Sequence, residues 1–289
     1  MQSSTERAVL VTGCSSGIGR AVATGLARDG YFVFATVRRE DHAEELRRLG
    51  LPGLIPVCPL DLTCLSDIPP ARDAVTAELS RRGLEGLYAL VNNAGGSAVA
   101  PVELLSLESL RRELLARILG SVAMVQSFLP LIRLARGRMV WIVTPAMIPT
   151  PFVTSIHACD FAVNCVARTL EMELKPWDIP NIMVRCGGIR TPAGLRTTAE
   201  VEALLAVGPV DGVALYEKAL RTWAQEMAAF DRKRTEPEEV VAVVSRLLSA
   251  RSPRRRYSVG YLSGAAALLA ALPPSITDRI LGMRFRPRG

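Results

Sequence analysis

Histidine is almost missing from this chain: its 289 residues contain only His42 and His157. A metal centre built on imidazoles is therefore excluded, and no metal site is expected. The six cysteines stand at 14, 58, 64, 159, 165 and 186, without any C-x-x-C pair. That dispersion argues against a zinc knuckle or a disulfide frame and predicts reduced, mostly buried thiols in a cytoplasmic protein. Aromatic residues make up 5% of the chain and do not accompany its basic residues, although the net charge is +7. The basic residues are mostly arginines scattered on helical faces, such as Arg47-Arg48, Arg81-Arg82 and Arg111-Arg112. That pattern suits solvated faces and a phosphate-bearing ligand, and it speaks against nucleic acid. The polar opening Met1-Gln2-Ser3-Ser4-Thr5-Glu6-Arg7 does not fit a signal peptide. The apolar stretch 261–272 is too short to span a bilayer, so no transmembrane segment is expected. Together with Arg254-Arg255-Arg256 and the arginines of 284–288, it leaves a peripheral membrane contact open.

What the chain does have is a glycine turn in a telling context. Thr12-Gly13-Cys14-Ser15-Ser16-Gly17-Ile18-Gly19 follows the apolar run Ala8-Val9-Leu10-Val11, and a helical pattern opens at Arg20-Ala21-Val22. Strand, glycine turn and helix in that order predict a dinucleotide site. The glycines admit a pyrophosphate close to the backbone, and the helix N-terminus faces its charge. Gly13, Ser15, Ser16, Gly17, Ile18 and Gly19 are the predicted contacts.

Further short apolar runs at 32–37, 54–58, 87–92, 139–144 and 182–186 read as strands. Helical patterns at 17–28, 43–49, 68–81, 107–133 and 155–174 fill the gaps. Strands apolar on both faces and separated by helices predict one doubly wound α/β domain, a parallel sheet covered on both sides. Residues 188–235 read as a substrate-covering insertion. Within it lies a helical stretch, 213–229, and a helix beginning at Pro237 follows. Residues 251–289 read as an irregular C-terminal extension. Leu195, Val201, Leu204, Leu205, Val207, Leu215, Leu220 and Trp223 make the insertion apolar, either to pack on the core or to line a pocket for a lipophilic substrate.

The residues at the strand ends refine the ligand. The second strand ends in Val37-Arg38-Arg39, where an NAD site would carry a carboxylate. Arg38 suits a 2′-phosphate, so the predicted cofactor is NADP(H). Asp61-Leu62 follows the third strand; Asp61 either accepts from an adenine amino group or closes an Asx turn. Asn92-Asn93-Ala94-Gly95 ends the fourth strand, its glycine allowing close approach and its amides tying strands together.

With the glycine turn, Asp61, Asn92 to Gly95 and Gly187 to Thr191 in this order, most of the chain resembles the classical short-chain dehydrogenase/reductase family. Arg256-Tyr257-Ser258-Val259-Gly260 is similar to the steroid and retinol dehydrogenase branch. The resemblance implies a Rossmann-like sheet of about seven strands and cofactor contacts at Asn93, Ala94, Gly95, Ile189 and Thr191. It also implies a homodimer or homotetramer formed through 107–133 and 155–174. Finally, it implies a tetrad of asparagine, serine, tyrosine and lysine, and here the sequence departs. Arg117 stands for the asparagine and Thr144 for the serine. His157 and Phe161, or one residue earlier Ile156 and Asp160, stand for the tyrosine and lysine.

Thr144 retains a hydroxyl to orient a carbonyl, and His157 can give a proton near neutral pH or simply sit half-buried on a helix. Arg117 can hold an oxyanion or form an ion pair within its helix, for example with Glu113. Three functions follow. The first is NADPH-dependent reduction of a lipophilic carbonyl by Thr144, His157 and Arg117. The second is a redox-neutral cyclase, isomerase or dehydratase in which the cofactor is structural or vestigial. The third is a cofactor-binding protein without catalysis.

Overall fold

In the computed structural model, which describes residues 7–96, 98–145, 148–206 and 211–283, seven parallel strands form a single sheet. They are β1 (Ala8–Val11), β2 (Phe32–Thr36), β3 (Leu54–Val57), β4 (Ala89–Asn92), β5 (Arg138–Val143), β6 (Asn181–Cys186) and β7 (Arg256–Val259), in the order β3-β2-β1-β4-β5-β6-β7. The order reverses between β1 and β4, which leaves a crevice at the carboxyl ends of those strands.

Residues along each strand alternate between two cores. Val9 and Val11 of β1 pack with Val22 and Leu26 of α1 (Gly17–Arg28), Leu46 of α2 (Glu40–Arg47) and Val244 of α10 (Glu238–Ser249). Ala8 and Leu10 face the other way. They join Val75 of α3 (Ile68–Arg81), Phe128 of α5 (Gly120–Leu134) and Val163 of α6 (Thr154–Glu173). Burial on both faces is the reason these strands read as unbroken apolar runs.

The expected helix over 107–133 is interrupted. α4 (Leu107–Leu114) passes through a π-turn at Leu115–Leu119 before α5 begins. Among the described residues this stretch, Leu107–Leu134, is long and apolar enough by length and composition to cross a membrane. Here it is a layer of the fold, with Met124, Val125, Phe128 and Ile132 buried against the sheet and its neighbouring helices.

The insertion carries α7 (Pro192–Leu195), α8 (Thr197–Ala206) and α9 (Asp211–Asp231). Val201, Leu220 and Trp223 form a third apolar cluster with Val99 and Phe152, so the insertion rests on the loops that follow β4 and β5. Trp223 meets Phe152 edge to face at 6.2 Å. Val207, predicted to belong to this apolar set, lies outside the described residues, as do Arg284, Arg286 and Arg288.

The C-terminal extension is not irregular. It contributes β7, α11 (Ser263–Leu269) and α12 (Pro274–Met283). β7 is an edge strand in which only Val259 is buried, so its sequence lacks an apolar run. Leu268 of α11 is 77% exposed, placing the apolar stretch 261–272 partly on the surface.

Candidate active site

The glycine turn lies in the crevice at the strand ends. Thr12 ties it to β4: its hydroxyl accepts from the amides of Asn93 (2.9 Å) and Ala94 (3.0 Å). The side-chain amide of Asn93 donates back to the Thr12 carbonyl at 2.9 Å. A Cβ on Gly19 would stand 2.2 Å from the Gly13 carbonyl oxygen, which leaves no room for a side chain there. Gly17 has φ +58°, and a Cβ on it would meet the Thr191 methyl at 3.2 Å. The loop after β6 therefore closes directly over the turn.

Ser16 precedes α1 without capping it, and the first helical turn holds no acidic residue. The amides of that turn and the positive end of the helix are left for an anion. Ser15 is half-buried, Ser16 exposed, and Ile18 packs against the adjoining core.

At the end of β2, Arg39 is paired with Asp41 (Nε to Oδ1, 3.0 Å). Arg38 is exposed and has no carboxylate partner among the described residues. Asp61 closes an Asx turn: its Oδ1 accepts from the Thr63 amide at 2.9 Å and hydroxyl at 2.8 Å. Leu62 is buried, and a Cβ on Gly120 would collide with it, so its side chain belongs to the packing under α5. Ile189 is buried too, and its carbonyl accepts from Arg234 at 3.2 Å. The Thr191 hydroxyl caps α7 by accepting from the Gly194 amide at 3.1 Å.

The π-turn between α4 and α5 carries Arg117 into a buried ionic cluster. Its Nε lies 3.0 Å from Glu113 Oε2, and its Nη1 lies 3.3 Å from Asp160 Oδ1. Its Nη2 donates to the Gly96 carbonyl at 2.7 Å. Glu113 also accepts from the Gly96 amide at 3.1 Å. The second oxygen of Asp160 accepts from the Thr144 amide at 2.7 Å. One guanidinium thus joins α4, α6, the loop after β4 and the end of β5. Gly95 is needed for this as much as for a ligand, since a Cβ there would stand 2.6 Å from the Arg117 guanidinium carbon.

These arrangements decide what the polar groups have left to offer. The Arg117 guanidinium is committed to two carboxylates and a carbonyl. The Thr144 hydroxyl is buried and has no partner among the described residues. The ring of His157 is tied through Nδ1 to the Ile148 carbonyl at 2.7 Å. Asp160 is buried, whereas Phe161 beside it is 39% exposed. A cavity of about 10 Å³ remains among Asn92, Arg117, Ser121 and Asp160, enough for a water molecule and far too small for an organic substrate. A groove of about 380 Å³ between β3 and α3 lies away from this chemistry.

The sequence profile described as short chain dehydrogenase matches residues 7–202, more than half of the chain. The chain belongs to the short-chain dehydrogenase family. Human 11-beta-hydroxysteroid dehydrogenase type 2 is 32% identical over 290 residues, covering 96% of this chain and 70% of that protein. Mouse retinol dehydrogenase 5 is 29% identical over 280 residues, covering 94% of this chain and 87% of that protein. Among solved structures, a short-chain dehydrogenase from Burkholderia cenocepacia in complex with NADP superposes with a TM-score of 0.72. It shares 20% sequence identity, and the match covers 97% of this chain and 99% of that one.

As a short-chain dehydrogenase, this chain joins a family of oxidoreductases related to steroid and retinol enzymes. Its thiols near the crevice are quiet ones. Burial pushes Cys186 up to about 12 and Cys159 to about 11, which keeps both protonated and unreactive at neutral pH. The expected ion pair of Arg117 with Glu113 is present; Asp160 was weighed only as a lysine replacement, and Gly96 had no signal. The i, i+4 spacing of Glu113 and Arg117 was the available clue to the pair on the helix.

Proposed function

We propose that this protein is an NADPH-dependent reductase of lipophilic carbonyl compounds whose acid–base residues differ from those usual in its family. The observation that carries the cofactor assignment is the exposed, carboxylate-free Arg38 at the end of β2, beside an uncapped α1 N-terminus. Together they supply one cationic fork for a 2′-phosphate and a set of amides for a pyrophosphate. The Burkholderia relative in complex with NADP supports the choice. When bound, the cofactor supplies the hydride.

The family's tyrosine and lysine have no counterpart at Ile156 and Asp160, the register supported by the inward, buried Asp160 and the outward Phe161. Charge here has changed places. The cation that a lysine would bring from α6 comes instead from Arg117 on the π-turn, and α6 contributes the carboxylate. Arg117 positions the loop after β4 and the end of β5 and does not clamp an oxyanion. Thr144 orients the substrate carbonyl by donating its otherwise unpartnered hydroxyl. His157 holds the loop at Ile148. The apolar insertion, with Val201, Leu204 and Leu220, excludes water and favours a lipophilic substrate, in keeping with relatives named for steroids and retinol.

Binding of NADPH and NADH, followed by nicotinamide fluorescence, tests the cofactor assignment in wild type and Arg38→Ala. A hydrogen-bonded charge pair is worth about 1.5–3 kcal/mol, so the variant should lose roughly 10- to 100-fold in NADPH affinity with NADH unchanged. Equal affinities in wild type overturn the assignment. Stoichiometric NADPH consumption separates reduction from a redox-neutral reaction.

A further inference from the structure

The insertion leaves the sheet after β6 and returns before α10 through a narrow neck, in which its first residues bond to its last. Thr235 donates its amide to the Gly188 carbonyl at 2.9 Å, and Arg190 donates to the Thr235 carbonyl at 2.8 Å. Arg234 grips both ends of this neck. Its side chain is 12% exposed; Nε donates to Asp231 Oδ1 at 2.6 Å and Nη1 to the Ile189 carbonyl at 3.2 Å. The guanidinium lies over the Phe230 ring, 5.0 Å from its centroid. Against it stands Gly194 of α7, where a Cβ would be 2.9 Å from the guanidinium carbon. The end of α9 is thereby tied to the chain from Ile189 to Gly194. A lysine cannot replace Arg234 here, because it lacks the planar fork that serves a carboxylate and a carbonyl at once.

The same short segment borders the cofactor crevice: the Thr191 methyl is the group that a Cβ on Gly17 would meet at 3.2 Å. Strand order decides which half of the cofactor comes there. With Arg38 at the end of β2 taking the 2′-phosphate and the glycine turn after β1 taking the pyrophosphate, the nicotinamide half is directed to the β4–β5–β6 side of the turn. We propose that Arg234 is a positioning residue for the nicotinamide half of NADPH, a role that rests on the cofactor assignment above. Arg234 itself touches no ligand. By holding the Ile189 carbonyl it fixes the segment that carries Thr191 over the glycine turn. Ile189 is 2% exposed, so without Arg234 its carbonyl loses a donor in a place water hardly reaches. The Asp231 carboxylate, 13% exposed in its side chain, loses its counter-ion as well. The neck then loosens, and ordering the segment becomes a cost of binding the nicotinamide half. The adenine half, held at β2 and the glycine turn, does not bear that cost.

The test titrates full-length wild type, Arg234→Met and Gly194→Ala with two probes. One is NADPH; the other is adenosine 2′,5′-bisphosphate, which carries the 2′-phosphate and no nicotinamide. Methionine keeps the stem and deletes the fork, whereas the methyl of Gly194→Ala displaces the guanidinium and leaves Arg234 in the chain. Loss of about one hydrogen bond's worth of preorganisation should weaken NADPH roughly 3- to 10-fold in both variants and leave the bisphosphate within about twofold. The fluorescence gain of NADPH on binding, which reports how firmly the nicotinamide is held, should fall in parallel. Equal losses for the two probes would make Arg234 a support of the whole fold and overturn the positioning role. Unchanged NADPH affinity in Arg234→Met overturns it too. If Arg234→Met does not fold, Gly194→Ala decides by the same ratio. If wild type binds the bisphosphate as tightly as NADPH, the positioning role alone falls. If wild type binds neither probe, the cofactor assignment falls and the role of Arg234 with it.

Discussion

Removing Arg117 should cost this protein stability before it costs anything else. The guanidinium and Glu113 are each 14% exposed in their side chains, and Asp160 is 4% exposed. Arg117→Met retains the stem and deletes the charge. Two carboxylates then lose their counter-ion, and the Gly96 carbonyl loses its donors. Breaking a buried pair by removing one partner costs about 3–5 kcal/mol, most of it the desolvated charge left behind. The partial exposure of Glu113 moves the expectation towards the lower end, about 3–4 kcal/mol. For a chain of this size that is a fall in Tm of roughly 6–16 °C. Thermal and urea unfolding of the purified variant measures it. The double variant with Asp160→Leu removes the most buried of the stranded charges and should recover part of the loss, giving a coupling of about 1–3 kcal/mol in the cycle. A single variant within about 1 kcal/mol of wild type, or strictly additive changes, refutes the argument that this cluster is a desolvated tie between four parts of the chain.

Two further outcomes follow from the same structure. Gly19→Ala places a Cβ 2.2 Å from the Gly13 carbonyl oxygen, so it should lose roughly 1–3 kcal/mol of stability and at least several-fold in NADPH affinity; unchanged Tm and Kd would count against the described turn. Glu78 is held down at about 2 by hydrogen bonds from Arg81 and Arg82. Its folded value lies below the unfolded one, so its contribution is present above about pH 4.3 and lost as pH falls towards 2. Arg81 is 68% exposed, so solvent screening keeps the effect below about 1 kcal/mol. Glu78→Gln should flatten the acid side of the stability curve slightly, and a steeper acid loss in the variant contradicts the sign.

Much of the framework was legible in the chain itself. Six strands and the helix over 68–81 announce themselves because both faces of a parallel sheet are buried, and burial writes apolar runs of strand length between helical periods. The glycine turn was legible for a stricter reason: the approach of Gly19 to Gly13 leaves no space for any other residue. β7 was hidden because an edge strand buries little, and its sequence Arg256-Tyr257-Ser258-Val259 follows no apolar rule. α11 and α12 were hidden by the prolines around them and by an exposed face that reads as loop.

The chemistry divides along the same line. By itself the sequence determined that a dinucleotide turn exists, that a cation and not a carboxylate ends β2, and that neither register offers a tyrosine–lysine pair. Those are statements about residue types at short spacing from a recognisable element, and local geometry is enough to make them. Only the tertiary structure decided what Arg117 and Asp160 do. Asp160 lies 43 residues from Arg117, and their contact depends on a π-turn that no periodicity records. The charge state and availability of a polar group are properties of its surroundings, and those surroundings are assembled from parts of the chain that only folding brings together.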